Sequence, residues 1–62
     1  MSDRERESWD AYLATGSMRK AAAKLGIHEI TVRKRIAALR DSYGVQTNVQ
    51  LAVALEREKI GA

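Results

Sequence analysis

Cysteine and proline are absent from this chain, and histidine occurs once. Without cysteine there is neither a disulfide framework nor a thiolate metal site, so a reducing compartment suffices. Without proline, the four glycines are the main breakers and divide the chain into helical segments. No apolar run approaches the ~20 residues of a membrane span, and the opening MSDRERESW carries charges of both signs, unlike a signal or transit peptide. The expected location is the cytoplasm, with no membrane partner. The single histidine, His28, is adjacent to Glu29 rather than one helical turn away, which is not metal-ligand spacing. It also sits at the edge of a turn, away from any plausible pocket, which leaves a nucleophile without a base. Catalysis, a metal and a cofactor are therefore not expected.

What is present is a short chain with unevenly placed charge. Its 62 residues are read as one domain, 1–62, whose core supplies only ~3–5 kcal/mol of net stability unless another subunit adds to it. From Ser17 to Arg40 there are seven cations (Arg19, Lys20, Lys24, Arg33, Lys34, Arg35, Arg40) against Glu29 alone, a net of +6 within a chain of net +3. Clustered Lys and Arg are the footprint of a polyanion binder, because phosphates reward them through counterion release. A charge run is equally typical of a solvated helical face, so the pattern around it has to decide.

That pattern is helical throughout, with no strand alternation or internal repeat. Ser2 and Glu5 have capping-box spacing and open a first helix over about 3–14, with Trp9, Tyr12 and Leu13 as its buried face and Gly16 as its end. Ser17 caps a second helix ending near Leu25. A third helix covers about 29–42, with His28 near its cap; Val32, Ile36, Leu39 and Tyr43 form one buried stripe, and Gly44 stops it. A fourth runs from about Asn48, capped by Thr47, to Ile60. Helices two and three, joined at Gly26, read as a helix-turn-helix. Ala21, Ala22 and Ala23 permit close helix approach, Leu25 and Ile27 form an apolar wedge, and Gly26 takes the positive φ that a sharp turn needs. The expected fold is all-α: a three-helix core plus a C-terminal dimerisation helix.

With its stripe turned inward, helix three presents Ile30, Thr31, Arg33, Lys34, Ala37, Ala38 and Arg40 on or beside its outer surface. A helix of this width fits the major groove of B-DNA. Thr31 and the free N–H groups of the first turn suit a phosphate. Arg33 and Lys34 reach guanine O6 and N7, Ala37 and Ala38 let the helix lie deep against thymine methyls, and Lys20, Arg19 and Arg40 hold flanking phosphates. Arg35 flanks the stripe and is expected to pack its stem or pair with a carboxylate of helix one.

These residues resemble the LuxR/GerE type of helix-turn-helix domain, the output domain of many bacterial response regulators and quorum-sensing activators. Arg4-Glu5-Arg6-Glu7, Ala21 to Leu25, Gly26-Ile27, Thr31-Val32-Arg33, Tyr43-Gly44-Val45 and Gln50-Leu51 carry the likeness in order, over nearly the whole chain. Arg35 and Asn48 depart from it, replacing a common histidine and arginine. The resemblance implies base contacts by Arg33, Lys34 and Ala37 and dimerisation through helix four. It also implies a sensor domain, for which the chain has no room, so the chain is expected to be a stand-alone regulator or a fragment.

Helix four points to a dimer independently. Its apolar residues wrap beyond the one stripe needed to cover the core: Leu51 and Leu55 pack inward, leaving Val49, Ala52, Val53 and Ile60 to meet a second copy, with Glu56 beside them. The expected function is a sequence-specific double-stranded DNA-binding transcriptional regulator, acting as a homodimer on an inverted repeat. RNA polymerase is a further partner where the regulator activates. The alternatives are a DNA-targeting subunit of a recombination or phage packaging machine, and a protein-interaction module built on helix four.

Overall fold

A computed structural model describes residues 2–61. Four helices follow one another: α1 (Asp3–Thr15), α2 (Met18–Leu25), α3 (Glu29–Tyr43) and α4 (Asn48–Lys59), with no strand among the described residues. Three of the four starts have a side-chain cap. Ser2 and Glu5 form a reciprocal capping box on α1, and the Ser17 hydroxyl accepts the Lys20 N–H at 3.0 Å to open α2. Thr47 and Gln50 form a second capping box on α4. The α1 and α3 ends each extend one residue beyond the expected 14 and 42, while α4 stops one residue sooner, at Lys59.

The turn between α2 and α3 closes as a Schellman motif. The Ile27 N–H donates to the Ala22 carbonyl at 3.0 Å and the Gly26 N–H to the Ala23 carbonyl at 3.3 Å. Gly26 stands at φ +69°, and no neighbouring atom lies within 4 Å of where a Cβ would be. The requirement for glycine there is conformational rather than steric. Gly26→Ala is therefore expected to cost about 1–2 kcal/mol, the left-handed penalty, read as a lower urea midpoint with unchanged slope. The same pair of bonds ends α3, from Val45 to Arg40 and from Gly44 to Asp41.

The core lies between α1, α2 and α3 and is roofed by α4. Ala21, Val32, Ile36, Leu39 and Leu51 are completely buried, and Trp9, Ala11 and Ala22 nearly so. Tyr12, Leu25, Ile27, Tyr43, Val45, Ala52 and Leu55 pack partly buried around them. The α3 stripe is as the periodicity predicts, but α1 presents a different face. Leu13 is 58% exposed, while Ser8 and Ala11 are buried with Trp9. Small side chains set this face, because α1 crosses both other helices of the core closely and Ser8 and Ala11 permit the approach. Leu13 instead stands on a groove between α1 and α4, lined also by Trp9, Ala52 and Leu55. Ala23, expected at the α2 packing face with Ala21 and Ala22, is exposed.

Two polar contacts fix α4 and one fixes α1. Arg40 donates to Asn48 Oδ1 at 2.5 Å, and the Tyr43 hydroxyl donates to a Glu58 carboxylate oxygen. Arg35 donates to the buried Ser8 hydroxyl at 3.3 Å, so its partner on α1 is a hydroxyl rather than a carboxylate. The bond to Glu58 raises the Tyr43 phenol above its ordinary 10.0, assisted by partial burial and the Glu58 charge and opposed by Arg6. Because the folded value is raised, the stability it contributes is complete below pH 10.0 and is lost as pH rises through the folded value. In a Tyr12→Phe background, phenolate absorbance should report a Tyr43 titration above 10.0 that Glu58→Gln moves back toward it.

Candidate nucleic-acid interface

The outward face of α3 follows from its buried one. At about 100° per residue, Lys34 falls opposite the Val32, Ile36 and Leu39 stripe. Ile30, Ala37 and Ala38 lie around it, and Arg33 and Thr31 stand on its two flanks. The burial pattern agrees: Ile30, Arg33 and Lys34 are exposed, and Thr31, Ala37 and Ala38 are half-buried. Ile30 offers a large apolar surface, 61% exposed, in the first turn. On α2, Arg19, Lys20 and Lys24 are all exposed; Lys24 lines a groove against α1 together with Asp3, Glu7 and Asp10.

The start of α3 is unlike the other three. His28 occupies the N-cap position with extended backbone but makes no side-chain cap bond, whereas Ser2, Ser17 and Thr47 cap their helices. The Thr31 N–H donates to the His28 carbonyl at 3.0 Å, so the Glu29 and Ile30 N–H groups are the ones open to an anion at the positive end of the helix dipole. Thr31 lies in that first turn.

Two of the predicted residues are already engaged. Arg33 donates to Glu29 Oε2 through Nε at 2.9 Å and through Nη2 at 2.6 Å, an i,i+4 pair along the helix. Arg40 is half-buried and held by Asn48, so it braces α3 against α4 as well as standing near the interface. Sequence reading missed a third residue. Asp41 is exposed on the same outer side, seven residues beyond Lys34 and four beyond Ala37. Its negative charge opposes phosphate, as does that of Glu29 in the first turn. The seven-residue spacing from Lys34 was the available signal.

Val49 and Val53 on α4, and Ile60 at its C-cap, are 75%, 47% and 74% exposed. With Glu56 they recur every three or four residues along one stripe, opposite the buried Leu51. Ala52, grouped with that stripe from the sequence, instead packs against the core next to Leu55.

A basic helix carried on the outside of a three-helix unit, its leading amides open and its far side fully buried, defines a helix-turn-helix domain of the DNA-binding kind. Residues 6–56 match the family of the PucR C-terminal helix-turn-helix domain, and the chain belongs to that family. Neither curated proteins nor solved structures offer a match to it. The family supports DNA as the partner and a DNA-binding regulator in general terms; it does not extend to the LuxR/GerE type.

Proposed function

We propose that the domain is a sequence-specific, double-stranded DNA-binding transcriptional regulator that acts as a homodimer on an inverted repeat. Each copy lays the part of α3 before Asp41 into a major groove. The observation that carries this reading is the outward placement of Ile30, Arg33, Lys34, Ala37 and Ala38 against a completely buried opposite stripe. Lys34 and Arg33 read base edges, a role that the LuxR/GerE likeness of Thr31-Val32-Arg33 also supports. Thr31 and the open amides hold one phosphate, and Lys20 another. Arg40 keeps register chiefly by fixing α4. RNA polymerase is the further partner in an activating mode.

Dimerisation falls to the Val49, Val53 and Ile60 stripe with Glu56. Burying one such aliphatic side chain contributes about 1.5–3 kcal/mol, comparable with the whole stability of a domain this small. A two-fold pairing of α4 would set half-sites about 34–36 Å apart. Val53→Glu places two like charges at the axis. It should abolish dimerisation in analytical ultracentrifugation and remove the advantage of a paired site over a half-site, leaving half-site affinity intact. Unchanged preference for the paired site would rule out α4 as the interface.

A further inference from the structure

We infer that Glu29 and Arg33 act as one composite base reader, in which Glu29 is a specificity-determining residue for a guanine and a neighbouring cytosine. The inference rests on the proposed docking of α3 in the major groove. It starts from which donors the ion pair consumes. A guanidinium has five N–H donors in a fixed plane. Nε and Nη2 both point one hydrogen at Glu29 Oε2, at 2.9 and 2.6 Å, so the side edge of Arg33 is occupied. Its end edge, one N–H from each Nη, is left with two parallel donors. That spacing matches guanine O6 and N7, the bidentate pair an arginine recognises.

Glu29 therefore does two things. It fixes the Arg33 plane, removing rotamer freedom that a free arginine would lose on binding. It also brings its second oxygen, Oε1, which has no protein partner among the described residues, to the same edge of the helix. A carboxylate oxygen accepts from the cytosine N4 amino group, meets only acceptors on guanine N7 and O6 and on thymine O4, and on adenine finds the N6 amino donor flanked by the repelling N7 acceptor. The pair thus selects for guanine through Arg33 and against acceptor-rich neighbours through Glu29. No other carboxylate occurs on α3 before Asp41. Placing this one near phosphates raises the non-specific cost of binding, which only the cytosine contact offsets.

The test is selection from random duplexes by wild type, Glu29→Gln, Glu29→Ala and Arg33→Ala, with sequencing of the retained pool. Wild type should favour one guanine and one nearby cytosine, each by roughly 5–150-fold, the range of a single base-reading contact. Glu29→Gln should lose the cytosine preference while total DNA retention rises, since a negative charge is gone. Glu29→Ala should lose it too and weaken the guanine preference that Arg33→Ala abolishes. If both Glu29 variants bind more tightly with an unchanged base profile, Glu29 is only a helix-surface partner and the inference fails while the docking of α3 stands. If wild type enriches no sequence, the docking itself fails.

Discussion

Arg33→Ala should weaken binding to the preferred duplex by about 1–3 kcal/mol and erase preference at one base position. The loss belongs to binding and not to folding. The Arg33 ion pair with Glu29 is exposed on both sides, and such i,i+4 pairs contribute only about 0.3–0.5 kcal/mol, so the circular dichroism spectrum and melting midpoint should hardly move. Lys20→Ala provides the contrast. In the proposed docking it removes a phosphate contact on α2, so all duplexes should weaken alike and the slope of log K against log salt should fall by about one. Fluorescence anisotropy on specific and scrambled duplexes at several salt concentrations separates the two. Equal losses for Arg33→Ala on both duplexes would remove its base-reading role.

Ile36→Ala should unfold the domain. Ile36 has no exposed surface and lies at the middle of the α3 stripe, between Val32 and Leu39. Truncating a buried isoleucine to alanine costs about 2–5 kcal/mol, and a domain of this size has only about 3–5 kcal/mol to lose. The expected result is a loss of the cooperative thermal transition at room temperature and above, with DNA binding lost in parallel. Ile36→Val, which removes one methylene for about 0.5–1.5 kcal/mol, should remain folded and lower the midpoint. If the α4 stripe pairs two copies, the wild-type midpoint should also rise with protein concentration. A folded Ile36→Ala at low concentration would mean the core contributes less than its burial implies.

How far the sequence reveals this structure depends on how local the cause is. Helix starts were legible because Ser2 with Glu5 and Thr47 carry their capping chemistry within a few residues. The α3 stripe was legible because Val32, Ile36, Leu39 and Tyr43 recur at one period with no competing large apolar residue except Ile30. Helix α1 was read less well for the opposite reason. Its close-packed side is made by Ser8 and Ala11, and hydrophobicity alone does not report that a crossing helix needs small residues there. Ala52 was assigned to the outer stripe although it packs on the core, because alanine suits either side of a helix.

Contacts between distant residues were out of reach. Arg40 with Asn48, Tyr43 with Glu58 and Arg35 with Ser8 depend on how α4 and α1 meet α3. The Glu29–Arg33 pair was within reach, since its four-residue spacing is visible in the sequence. What needed coordinates was which edge of the guanidinium the carboxylate takes. The same division holds for the interface. Outward placement of Lys34 followed from periodicity, whereas the uncapped start of α3 is visible only in the hydrogen bonds His28 does not make.

The most direct measurement is selection of the purified protein against random duplex DNA at two salt concentrations, with sequencing of the retained fraction. The outward basic face of α3 predicts an enriched site containing guanine, recovered as an inverted repeat, with binding that falls steeply as salt rises. Retention that is insensitive to salt, or that enriches no sequence at either concentration, would contradict a base-reading role for α3.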